Sequence, residues 1–220
     1  IHASDTNTAI RFPAADTVTV ETNGTERLRV TSIGGLLIGT STARSPGGTA
    51  GIFQIEGTSH SSSSMTLSRN SADNSGSNIV FNKTRGTSVG ADVVVNNGDQ
   101  LGIIRFCGND GTDSNNNAAT IQAAVDGTPG ADDMPGRLLF STTADGAATP
   151  TTRLTIDSTG KVKIPDDLKI SNTAPAIFLT DTDNNPDYYI QNSNGLFKIV
   201  DNTSVSEIIV ATANNIISRK

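Results

Sequence analysis

The chain of 220 residues has no tryptophan, one cysteine, two histidines and only 4% aromatic residues. A single thiol, Cys107, cannot form an internal disulfide, so covalent stapling does not hold the fold. Scarce aromatics mean a core built from aliphatic side chains, and they remove the usual stacking platforms for sugars. Charged residues, at 17%, fall below the roughly 25% of ordinary soluble domains. Basic residues are scattered singly, the formal net charge is -6 and the pI is near 4.8, which excludes the concentrated basic surface that nucleic-acid binding needs. No apolar run approaches the ~20 residues of a membrane-spanning helix, so membrane insertion is not expected, and no signal peptide opens the chain. No window of about eleven residues or more carries a helical period. The chain starts at Ile1 rather than methionine, as expected of a processed or partial fragment.

What fills the sequence instead is glycine, asparagine and small polar residues, which favour strand edges and turns over helices. Within this background the pattern R-L-x-[VI]-x-S-x-G-x-[LV]-x-I occurs twice, at 27–38 (RLRVTSIGGLLI) and 153–164 (RLTIDSTGKVKI). Leu28, Val30, Leu36 and Ile38, and in the second copy Leu154, Ile156, Val162 and Ile164, recur every two residues, the spacing of one strand face. Between the arms, Gly34 and Gly160 supply the positive backbone dihedral that a tight turn needs. Each copy therefore reads as a hairpin with one apolar face. Such a hairpin is marginal alone, so another part of the chain or another chain must cover that face. A looser third copy places Ile208, Val210, Asn214 and Ile216 at the corresponding positions.

Residues 8–20 hold two short strand candidates broken by Pro13, followed by the turn Asn23-Gly24. Segment 40–50 (TSTARSPGGTA) has linker composition. Beyond it, 52–56, 64–68, 78–82, 91–95, 102–107, 119–124 and 137–141 read as strands at intervals of about 10 to 15 residues, the pattern of a sandwich or barrel. Residues 126–136 read as a loop. After the second motif copy, 168–170, 176–180, 188–191 and 196–200 continue the β pattern.

The stretches 78–90 (NIVFNKTRGTSVG), 98–113 (GDQLGIIRFCGNDGTD), 123–164, which contains PGRLLFSTTADGA, and 176–207 resemble segments of tail-fibre and tail-spike proteins of bacterial viruses. The resemblance implies a homotrimeric, extracellular, β-rich fibre, often ending in a self-cleaving chaperone domain. The chain stops at Lys220 without such a domain, which is expected to have been removed or to lie in a sequence not shown. The second copy departs from the family pattern by passing to Pro165 rather than glycine, and the third has lost its arginine and glycine.

Catalytic candidates are few. His2 and His60 are the histidines available to a triad; His60 sits in the serine-rich run SHSSSSM, which reads as a solvated loop with no strained nucleophile turn. Asp132-Asp133 and Asp166-Asp167 are adjacent pairs, and neighbours on a strand face opposite ways, so neither pair alone flanks a glycosidic bond. Cys107 reads as an inert, half-buried thiol. Asp181, Asp183, Asn185 and Asp187 fall at positions 1, 3, 5 and 7 of a calcium-loop-like run, but Pro186 replaces its glycine and Asn192 its glutamate, which favours an Asx-rich turn. The sequons at Asn23, Asn82 and Asn202 are what chance gives in an asparagine-rich chain.

The expectation is thus an all-β, fibrous, multi-module chain of β-hairpin repeats flanking an antiparallel β-sandwich-like domain, assembled as a homotrimer. Its modules are an N-terminal hairpin module (1–45), the sandwich-like domain (46–150), a hairpin connector (151–170) and a C-terminal β module (171–220). The expected function is that of a non-enzymatic structural subunit of a viral tail fibre, outside the cell on the virion tail, that projects from the virion and contributes to host attachment. No catalytic, cofactor or metal residue is assigned. Partners are copies of the chain, other tail proteins and a host-surface glycan or protein, met by loops 61–77 and 112–117. Two alternatives stand: a carbohydrate-active spike with a site between subunits, and a cellular filament or adhesin subunit that polymerises head to tail.

Overall fold

A computed structural model of the chain describes residues 4–183 and 187–203, and the backbone of 206–212 and 215–218. The protein is all-β, with three five-stranded sheets and, among the described residues, one short 3-10 turn at Pro46–Gly48. It divides into two compact units, Ile1–Pro165 and Asp166–Lys220.

The first sheet runs in chain order through β1 (Ala9–Arg11), β2 (Val18–Thr22), β3 (Thr25–Val30), β4 (Leu36–Ile38) and β5 (Phe53–Ile55). Asn23 and Gly24 both take positive φ, 53° and 69°, and close the β2–β3 hairpin with Thr22 opposite Thr25. An Asn-Gly pair is suited to this two-residue turn. The first motif copy forms β3, its turn and β4, with Leu28 opposite Ile38 and Val30 opposite Leu36. β5 then pairs parallel to β4, Leu36 beside Phe53 and Ile38 beside Ile55. Gln54 pins the intervening crossover, its amide donating to the carbonyls of Gly51 (2.7 Å) and Arg44 (3.1 Å).

The second sheet is an antiparallel meander of β6 (Gln100–Gly108), β7 (Asn116–Val125), β8 (Gly136–Thr142), β9 (Thr151–Ile156) and β10 (Val162–Lys163). The second motif copy supplies β9 and β10. Its register repeats the first: Ile156 faces Val162 as Val30 faces Leu36. The turns repeat too, with Gly34 N–H donating to Thr31 O and Gly160 N–H to Asp157 O, both at 2.9 Å, and φ of 80° and 81° at the two glycines. Because β9 hydrogen-bonds β8, residues 151–156 complete the sheet begun within 46–150.

Of the seven strand candidates between 52 and 141, four are strands; 64–68, 78–82 and 91–95 have no regular secondary structure and belong to no sheet. The antiparallel middle region is therefore one sheet with an irregular cover, sandwich-like in that sense. Phe81 provides the cover at Gly102, where a Cβ would come within 2.6 Å of the Phe81 Cβ. Arg85 fixes the chain further on through a bidentate pair to Asp99 (2.6 and 2.7 Å). The expected linker is also docked rather than free. Gly47 N–H donates to Ser114 O (2.8 Å), Gly48 N–H to Asn115 Oδ1 (3.2 Å), and Arg105 Nη1 to Gly47 O (3.2 Å).

In the second unit, β11 (Ala176–Leu179), β12 (Tyr188–Ser193), β13 (Leu196–Asp201), β14 (Ser206–Thr212) and β15 (Asn215–Ser218) form a third antiparallel meander. The loose third motif copy does form a hairpin, but Val210 faces Ile217 and Ile216 faces Ala211, one residue out of the motif's register. Asn214, the expected turn residue, lies outside the described residues.

The shared turn geometry yields a prediction. Gly160→Ala places a Cβ on a left-handed residue and lowers stability by about 1 kcal/mol. Gly76→Ala, where no positive φ is required and nothing lies within 4 Å, stays within about 0.5 kcal/mol of the parent. Urea unfolding followed by circular dichroism measures both.

Candidate functional site

Strand register places the apolar residues of each sheet in rows that cross it. In the first sheet Ile10, Val20, Leu28, Ile38 and Ile55 form one row, and Val18, Val30, Leu36 and Phe53 the next. The motif stripe is thus the middle of a face that spans all five strands. This face is open: Ile10 is 65% exposed and Phe53 52%, whereas Leu37, on the opposite face, is 1% exposed.

The second sheet carries a matching face, with Ile104, Ile121, Phe140 and Leu154 in one row and Ala123, Leu138, Ile156 and Val162 in the next. Ile104, Phe106, Leu138 and Val162 are exposed on it. Phe81 covers one end, leaving a cleft of about 310 Å³ lined by Leu101, Ile104, Ile121 and Leu138. In the second unit Ile177, Ile190 and Ile199 form a row beside Leu179 and Tyr188. Phe178 packs on Tyr189 with ring centroids 5.1 Å apart, yet Phe178 and Leu179 remain exposed.

The charged groups of the second sheet gather at its turns. Asp157 accepts from Lys163 Nζ (2.7 Å), from the Thr159 hydroxyl (2.7 Å) and from the N–H groups of Thr159 and Lys161, at 3.0 and 3.1 Å. The Lys163 bond, then that of Thr159, holds this carboxyl well below the ordinary range, and the same pair raises Lys163. Asp126 is lowered first by the Ser158 N–H (2.9 Å) and then by Arg137 (2.7 Å), which ties the motif turn to the β7–β8 loop. Asp99 is lowered by Arg85 and by the Asn96 N–H. These carboxylates are consumed in holding turns, not aimed at a common point.

No known protein family matches the sequence, and no curated protein matches it. Among solved structures, the carboxy-terminal domain of the L-shaped tail fibre of bacteriophage T5 superposes with a TM-score of 0.54 at 12% identity, over 71% of this chain and 68% of that one. The likeness is one of fold. This chain has a tail-fibre-like fold.

Within that fold the sequence candidates lie apart. His60 is exposed in a turn stitched by Ser59, Ser62 and Ser63; His2 lies outside the described residues. Asp132 and Asp133 are exposed beside the small bridge between Gly130 and Asp133, and Asp166 and Asp167 are exposed as well. The Asp187 carboxylate accepts from the Asp181 N–H (2.8 Å) and that of Asp181 from the Asp183 N–H (3.3 Å), an Asx-type use of the acidic run; Asn185 and Pro186 lie outside the described residues. Among the described residues no three His, Cys, Asp or Glu side chains are grouped to hold a metal ion. Cys107 is half-buried and its thiol meets Asn117 Oδ1 at 3.3 Å. Asn23, Asn82 and Asn202 are exposed. Loop 61–77 is exposed, with Arg69 paired to Asp73 (2.6 Å). Loop 112–117 is partly engaged: its Ser114 and Asn115 receive the docked linker.

Sequence reading found the motif stripes but not their extension onto β1, β2 and β5. The available signal was the period-two run TVTV at 17–20 and the alternation of Phe53 with Ile55.

The turn electrostatics predict a stability plateau. Depressed carboxyls stabilise fully above the unfolded carboxyl range of about pH 4, and their contribution fades as pH falls below it toward the folded values. The raised Lys163 contributes below about pH 10 and is lost above. The urea midpoint is therefore expected to be flat between these limits and to drop below pH 4, with a shallower drop in Asp157→Asn.

Proposed function

We propose that the chain is a non-enzymatic structural subunit of a viral tail fibre, assembled as a homotrimer on the virion tail. The observation that carries this reading is the open apolar face of each of the first two sheets. Ile10, Val30 and Phe53 on one, and Ile104, Phe106, Leu138 and Val162 on the other, stand exposed in rows that a monomer would leave in water. Closed packing of copies about an axis covers these faces and shields strand edges. The resemblance of the sequence to tail-fibre segments supports a trimeric fibre, and the likeness in fold to the T5 fibre domain supports a tail-fibre role. Such a fibre joins other tail proteins at one end and projects toward the host. Residues 69–77 of loop 61–77 are the surface proposed to meet a host glycan or protein, because they are polar and exposed.

Size-exclusion chromatography with light scattering tests the reading. The expected mass is about 68 kDa, three times 22.8 kDa. Ile10 and Val162 are 65% and 59% exposed in one chain, so Ile10→Asp with Val162→Asp leaves the isolated fold within about 1 kcal/mol of the parent while shifting the mass to that of a monomer. A monomeric parent overturns the proposal. Growth without limit replaces it with a head-to-tail filament.

A further inference from the structure

Segments 64–68, 78–82 and 91–95 combine strand-like sequence with an unused backbone. Each alternates or concentrates β-prone apolar residues, yet none joins a sheet of its own chain. No backbone hydrogen bond is made by 65–68 or by 78–82. The third segment is used along one edge alone. Val93 donates to Thr84 Oγ1 (2.7 Å) and accepts from the Arg85 N–H (3.1 Å), and Ala91 donates to Ser88 O (3.1 Å). Asp92 and Val94 make no backbone bond. The side chains are open as well: Met65, Leu67, Ile79, Val80 and Val94 are all more than half exposed.

We infer that these three segments are strands of an intersubunit sheet, in which each pairs through its unused backbone edge with a second copy of this chain. The inference rests on the oligomeric reading above and states which parts of the chain the assembly converts to strand. Apolar, β-prone chain with open N–H and C=O groups is a template for pairing with another chain. Two observations select a copy of the same chain as the partner. The segments are nearly uncharged, Asp92 being their one charged residue, so they select no acidic or basic partner, and identical stretches meet with little repulsion. Finally, Phe81 seats its segment on Gly102, beside the open face of the second sheet, so a copy that covers this face meets 78–82 directly.

Amide hydrogen exchange on the full chain, followed by mass spectrometry alongside light scattering, tests the assignment. Peptides covering 65–68 and 78–82 are expected to exchange about 100-fold more slowly than open chain in the assembly, and at open-chain rates in the dispersed Ile10→Asp, Val162→Asp variant. Val80→Pro removes an N–H that has no partner within the chain, so the isolated fold keeps its circular dichroism while the assembly loses protection at 78–82 and sheds mass. Open-chain exchange in an intact oligomer overturns this inference and leaves the fibre reading standing. Open-chain exchange in a monomer overturns both. Assembly and protection unchanged in Val80→Pro overturn the inference alone.

Discussion

A β-sheet has two faces, and in the first two sheets here the chain gathers its apolar residues on one face that it covers only in part. Leu37 is shut from water on one side of the first sheet while Ile10, Val30 and Phe53 stand exposed on the other. Val125 and Ala124 are buried at the end of β7, yet Ile104, Leu138 and Val162 are not. Hydrophobic burial is roughly proportional to area removed from water, so most of the stabilisation available to these residues is realised only when something else covers them.

For rows to form an interface, register must hold without help from a core. The motif accomplishes this locally. Its glycine sets the turn, its hydrogen bonds close the loop, and the arms then face one another at fixed positions in both copies. At the second copy Asp157 and Asp126 add charge-assisted bonds that tie the turn to Lys163 and to the β7–β8 loop. Exposed ion pairs contribute little net energy; their effect here is geometric, because a slip of one residue would move the whole apolar set to the wrong face. The β14–β15 hairpin shows the contrast. Without the motif's arginine and glycine it pairs one residue away from the motif's register.

The hairpins were legible because their determinants are local: alternation of Leu28 with Val30, Gly34 in the turn, Asn23 before Gly24. The loop at 126–136 was legible from glycine and proline. Three kinds of information were not local. Alternation at 64–68, 78–82 and 91–95 reports which residues favour a strand, not whether the chain supplies a neighbour for it. Composition marks 40–50 as a linker, but its docking depends on single bonds from Gly47 and Gly48 to a loop more than sixty positions on. The rows beyond the motif depend on which strands become neighbours, and the parallel pairing of β5 with β4 follows from a crossover that the sequence does not announce. For the candidate site, residues with recognisable chemistry, His60, Cys107 and the acidic pairs, are dispersed, while the aliphatic residues that define the open faces carry no chemical signature beyond their spacing.

The parallel pair has a mechanical consequence. Tension passing along the backbone enters β4 at its first residue and leaves β5 at its last. Parallel strands pulled from these opposite ends are loaded in shear, so the bonds joining Leu36–Ile38 to Phe53–Ile55 share the load instead of opening one after another like a zip. The crossover between them is held by Gln54 and, through Gly47, by the β6–β7 loop. The last strand pair of the first sheet is thereby a clamp that resists stretching.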